Sequence, residues 1–141
     1  METGKIEDDK PQARIMIVDD DLDIDTVLKM GLEQAGIQVE TFTDPKEAME
    51  HFRAHSNEYC LALVDIRMPG ISGFQLAREF HSINPDVKKV LMSAFEIHKS
   101  EVTVVLPTVK VDDFITKPFS VREAKTTILK HIATTKRTGQ G

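Results

Sequence analysis

One stretch, Cys60 to Gly70 (CLALVDIRMPG), constrains the fold more than any other part of the chain. Leu61, Ala62, Leu63 and Val64 form an apolar run that suits a buried strand and is too short for a helix. The run ends on Asp65, and Met68-Pro69-Gly70 then stops both a strand and an immediate helix. A carboxylate therefore stands at the carboxyl end of a buried strand, at the mouth of a tight loop. In open α/β sheets ligands gather outside that edge. Aspartate also opens turns, so this stretch alone leaves both roles open.

The same pattern recurs along the chain. Arg14 to Val18 (RIMIV) reads as a second buried strand, and it too runs into acid at Asp19, Asp20 and Asp21. Ile24, Val27, Leu28, Gly31, Leu32 and Ala35 follow at helical spacing, until Gly36. Ile37 to Phe42 alternates apolar and polar residues, as a strand near the sheet edge does. Asp44 as N-cap and Pro45 at the first helical position open a helix that reaches about Ala54. A further helix follows Gly73 and ends at Asn84-Pro85. Val87 to Met92 and Asp113 to Thr116 read as the fourth and fifth strands, and Ser120 caps a last helix. Strand alternates with helix five times, which predicts an α/β fold: a parallel five-stranded sheet covered on both faces.

Composition narrows the function classes. The chain has 141 residues, enough for one domain, with 40% hydrophobic and 29% charged residues. Residues 1–13 read as a flexible arm, 14–133 as the folded domain and 134–141 as a polar, flexible tail. No apolar run reaches membrane-spanning length, which predicts no membrane insertion. Cys60 is the single cysteine, so a disulfide framework is excluded and a cytoplasmic setting is expected. A net charge of -5 argues against direct nucleic-acid binding.

In a parallel sheet all strand carboxyl ends share one edge. Those ends carry Asp19-Asp20, Asp65, Ser93 and Lys117. Crowded carboxylates repel unless a cation sits among them. Oxygen donors without His or Cys suit a hard ion, and Mg²⁺ better than zinc. Lys117 supplies a charge that binds phosphoryl oxygen, and Ser93 a hydroxyl donor. A carboxylate nucleophile, a metal, a cation and a donor make a phosphoryl-transfer site.

From about Arg14 to Ile132 the chain resembles the receiver domains of two-component response regulators. IVDD (Ile17 to Asp20), LVDIRMPGISG (Leu63 to Gly73), Ser93-Ala94 and TKPF (Thr116 to Phe119) carry the resemblance through their order and spacing. It implies a flavodoxin-like, doubly wound sheet of order 2-1-3-4-5. It further implies that Asp65 accepts a phosphoryl group from the phosphohistidine of a sensor histidine kinase or phosphotransfer protein. Asp20, Asp65 and the Arg67 backbone carbonyl are expected to hold Mg²⁺, with Asp19 assisting through water. Lys117 is expected to contact the phosphoryl group, with Lys117-Pro118 in cis. Ser93 and Phe114 match the family's switch pair, which repacks a surface read by an output protein the sequence does not name. A stand-alone phosphoacceptor without separate substrate turnover is the expected form. A phosphorylation-independent docking module of the same fold is the alternative.

Two decoys fail on geometry. Asp23-Ile24-Asp25-Thr26-Val27 spells the signature of haloacid-dehalogenase-type phosphatases, but inside a helix residues two apart do not share a face. A calcium loop starting at Asp21 lacks its glycine at Thr26 and its glutamate at Leu32. Asp21, Asp23 and Asp25 are expected to stabilise a helix N-terminus, and His51 and His55 to be solvated. Between Ser93 and Asp112, Val102 to Val105 and Pro107 predict only a short helix within roughly 97–106.

Overall fold

The computed structural model describes residues 14–94 and 111–140. The expected arm at 1–13 and the short helix near 97–106 lie outside the described residues. Five strands form: β1 (Arg14–Val18), β2 (Gln38–Phe42), β3 (Leu61–Asp65), β4 (Lys88–Ser93) and β5 (Asp113–Thr116). All pair in parallel, in the order β2-β1-β3-β4-β5. The flavodoxin-like topology expected from the sequence is therefore present, with β2 at an edge. Because β1 lies between β2 and β3, the strand order reverses there. Val18 pairs with Val64, Asp65 with Met92 and Ser93 with Thr116, so the strand ends and their polar residues share one edge.

Alternation along each central strand feeds two cores. Ile15, Ile17, Leu63, Val90 and Met92 point to one face. There they meet Leu28 and Leu32 of α1 (Leu22–Gln34) and Ala124 and Ile128 of α4 (Val121–Gln140). Met16, Val18, Ala62, Val64 and Leu91 point to the other. Ala48 and Phe52 of α2 (Pro45–His55) cover them, with Leu76, Ala77 and Phe80 of α3 (Gly73–Ile83). The rings of Phe52 and Phe80 stack at 4.1 Å and tie these two helices together. Each fully buried Leu or Phe contributes about 1.5–3 kcal/mol, so both helical layers are held mainly by their apolar faces.

The helix ends follow local chemistry. Asp21, Asp44 and Ser72 cap α1, α2 and α3 through their side chains. Ser120 and Glu123 exchange hydrogen bonds at the start of α4, at 2.8 and 3.0 Å. α4 continues through Gln140, so the backbone of 134–140, within the stretch expected as a polar tail, is helical. No proline interrupts Thr134 to Gln140, and Lys136 and Arg137 are good helix formers.

The amino-terminal edge of the sheet carries a charged cluster of its own. Arg14 bonds Glu40 at 3.0 Å, pairs with Glu58, and lies 4.9 Å above the Tyr59 ring. His51 Nε2 is 2.7 Å from the Tyr59 hydroxyl, and His55 Nδ1 is 2.8 Å from Glu58. The two imidazoles stack at 4.5 Å. They are therefore networked rather than simply solvated, because the turn after α2 brings Glu58 and Tyr59 back over the helix end.

Candidate functional site: an acidic pocket with a shared lysine

At the carboxyl edge the ends of β1 and β3 bring Asp19, Asp20 and Asp65 together, with carboxylate oxygens all within 4.8 Å of one another. Asp19 is fully buried and Asp65 nearly so, whereas Asp20 faces solvent. Lys117, in the loop after β5, reaches into this group. Its ammonium lies 3.1 Å from Asp19 Oδ2 and 3.3 Å from Asp65 Oδ2. The Lys117 backbone N–H donates to the Ser93 carbonyl at 2.6 Å, which fixes the loop to the end of β4. The Lys117-Pro118 peptide bond is cis, as expected.

The β3–α3 loop is shaped around Asp65. Arg67 N–H points to Asp65 Oδ1 at 3.4 Å. Gly70 has φ +92°, a left-handed conformation that glycine adopts without strain. Gly73 N–H donates to the Ile66 carbonyl at 2.8 Å. A side chain at Gly73 would begin 2.3 Å from the Asp65 carbonyl oxygen and 2.7 Å from Ile66 Cα. Only a glycine lets α3 start this close to the phosphoacceptor candidate. The motif showed the glycine; the reason for it emerges from the packed loop.

The buried carboxylate and the lysine of the pocket perturb one another. Burial pushes the Asp19 carboxyl up from its ordinary range, opposed by hydrogen bonds from the Asp21 N–H and Lys117. Burial pulls Lys117 down, but its contacts with Asp19 and Asp65 more than offset this and leave it raised. An acceptor set made of carboxylate oxygens alone fits a hard divalent ion such as Mg²⁺. Asp19, Asp20 and Asp65 are the residues that would hold it.

Of the residues singled out from sequence, Asp19, Asp20, Asp65 and Lys117 converge directly. Ser93 is buried at the end of β4, level with Thr116, and Phe114 packs against the core behind it. Arg67 flanks the mouth with its side chain exposed. Beside Lys117 an open groove of about 600 Å³ runs past Asp23, Ile24, Val27, Phe119 and Val121. Asp25 departs from expectation. It is fully buried, and neither of its oxygens has a hydrogen-bond partner among the described residues. Its spacing of three and seven from Leu28 and Leu32 puts it on the inward face of α1. That spacing was the signal available in the sequence. Asp23 remains exposed near the helix start.

Fold and pocket together define a doubly wound α/β domain with an acidic, lysine-bridged site at its strand ends. The chain belongs to the response regulator receiver domain family, which matches over residues 15–129. It is 34% identical over 109 residues to the regulatory protein VanRB of Enterococcus faecalis, covering 77% of this chain and 47% of that protein. It is 32% identical over 111 residues to the response regulator SaeR of Staphylococcus epidermidis, covering 79% and 46%. The chain thus spans about half the length of the curated relatives it matches. Among solved structures, a CheY-like receiver domain from Methanospirillum hungatei superposes with a TM-score of 0.78 at 28% identity, covering 90% of this chain and 98% of that one. TrrA from Thermotoga maritima, solved in complex with Mg(2+)-BeF, gives a TM-score of 0.71 at 32% identity, covering 84% and 98%.

Proposed function

We propose that this domain is a phosphoacceptor switch in two-component signalling, with Asp65 as the residue modified. The observation that carries this is the Lys117 ammonium held between Asp19 and Asp65 at the open strand edge, among three converging carboxylates. One Asp65 oxygen attacks phosphorus; the phosphohistidine N–P bond breaks as the O–P bond forms, and the imidazole leaves with the electron pair. Lys117 stabilises charge on the phosphoryl oxygens. Asp20, Asp65 and the Arg67 carbonyl would hold Mg²⁺, with Asp19 assisting through water, and the ion would supply further charge neutralisation. The Arg67 N–H keeps the Asp65 carboxylate oriented.

A phosphoryl group adds charge and acceptor oxygens beside Ser93. Movement of the Ser93 hydroxyl toward them frees space for Phe114, and this repacking alters the surface an output protein reads. A histidine kinase or phosphotransfer protein is the donor, and the setting is cytoplasmic. Among the described residues no helix is long and apolar enough to cross a membrane. The domain promotes its own phosphorylation and dephosphorylation without turning over a separate substrate.

The test is incubation with Mg²⁺ and acetyl phosphate. An acid-stable, base-labile phosphoprotein is expected, absent in Asp65→Asn. Labelling that survives in Asp65→Asn, or none in the natural sequence, overturns the assignment.

A further inference from the structure

Asp25 has no place in the phosphoryl-transfer scheme, yet it sits one helical turn after Asp21, its N–H donating to the Asp21 carbonyl at 3.2 Å, while the Asp21 N–H donates to Asp19 at 2.9 Å. It is 0% exposed and both of its carboxyl oxygens lack a hydrogen-bond partner among the described residues. It is not one of the three carboxylates whose oxygens gather within 4.8 Å, so it does not serve as a further ligand. The charged groups that act on it are Asp19 at the end of β1, Asp20 and Asp21 in the following loop, and Lys117 after β5. A buried carboxylate with no partner is so costly that the group keeps its proton instead. Burial raises Asp25 to about 8; Asp19, Asp21 and Asp20 add to the rise and Lys117 opposes it. A divalent ion set among Asp19, Asp20 and Asp65 reverses the sign of that local field.

We propose that cation binding in the carboxylate pocket expels a proton from Asp25, so that the pocket loads metal more readily as its surroundings become more alkaline. This rests on reading the pocket as a Mg²⁺ site. The Asp25 O–H bond breaks, its electron pair stays on the carboxylate, and the proton passes to water or buffer. No electron is transferred and no further reactant is needed. One proton is linked to one ion, so Mg²⁺ affinity climbs by at most about tenfold per pH unit. The climb stops once Asp25 is ionised in the metal-free protein as well.

Calorimetric titration of the full chain with MgCl₂ near neutral pH, in two buffers of different ionisation heat, counts the protons directly. Release approaching one proton per ion is expected for the natural sequence, and almost none for Asp25→Asn, which keeps the side-chain shape. Affinity should rise with pH in the former and stay nearly flat in the latter. No release in the natural sequence, equal release in Asp25→Asn, or no Mg²⁺ binding at all overturns the proposal. Should Asp25→Asn fail to fold, carboxyl-carbon NMR of the natural sequence decides. The Asp25 resonance should titrate above neutrality without Mg²⁺ and at lower pH with it, and an unmoved midpoint overturns the linkage. Acetyl phosphate labelling separates this from the phosphoacceptor reading. Labelled protein without proton release removes the linkage alone, whereas proton release without labelling removes the phosphoacceptor role alone.

Discussion

The two edges of the sheet are both crowded with charge, and they solve the crowding differently. At the amino-terminal edge Arg14 answers Glu40 and Glu58, Glu58 also meets His55, and Tyr59 sits beneath the guanidinium. Charge there is spread over mutually paired side chains. At the carboxyl edge Asp19 and Asp65 share the Lys117 ammonium, Asp20 converges on them, and Asp25 lies buried without a hydrogen bond. A balanced network holds structure together and asks for nothing further. An imbalance that the fold maintains at a cost is the mark of a site that waits for a ligand.

The contrast is broken most severely at Gly73. Gly73→Ala forces a methyl group against the backbone of Asp65 and Ile66, which cannot yield cheaply. A loss of about 3 kcal/mol or more is expected in urea unfolding, together with loss of phosphoryl labelling. Stability near that of the natural sequence would show that α3 can start elsewhere.

Asp25→Leu acts in the opposite direction. Folded Asp25 holds its proton up to about pH 8, whereas the unfolded chain releases it near the ordinary value of 3.8. Its raised ionisation therefore contributes stability fully below the unfolded value, and that contribution is lost as pH rises to about 8. Asp25→Leu should thus stabilise the chelator-treated protein by about 1–3 kcal/mol at alkaline pH, and by less toward pH 5. A gain that does not grow with pH would show that Asp25 is not the protonated group.

The smallest effect belongs to the balanced edge. Arg14→Met removes the bonds to Glu40 and Glu58 and the contact over Tyr59. These groups are partly exposed, so a destabilisation of about 1 kcal/mol is expected. Mg²⁺ affinity should be unchanged, because the substitution lies at the other end of β1. A shift in affinity would show that the two edges are coupled through the strand.

Much of the carboxyl edge is legible in the sequence. Leu61 to Val64 ending on Asp65, and Arg14 to Val18 ending on Asp19 and Asp20, carry both the strand period and the site in a few consecutive letters. The cap at Asp44 and the box formed by Ser120 and Glu123 are equally local. What escaped depends on approach in space. Asp25 shares a helical face with Leu28 and Leu32, but its acidic neighbours Asp21 and Asp23 made it look like part of a solvated helix start. His51 and His55 gained partners only because Glu58 and Tyr59 turn back over α2. Lys89, fully buried in β4, shows the same limit, since its charge argues for the surface and its strand position decides otherwise.

The bond between Lys117 and Asp19 joins positions 98 apart in the chain. Four strands must be laid side by side between the first carboxylate and the lysine before that bond exists, and closing so long a loop comes late in assembly. A chain still emerging from the ribosome can already own Asp19, Asp20 and Asp65, yet it lacks the ammonium that holds them together. In the proposed role, the ammonium that steadies the phosphoryl group therefore joins the site only once β5 is in place.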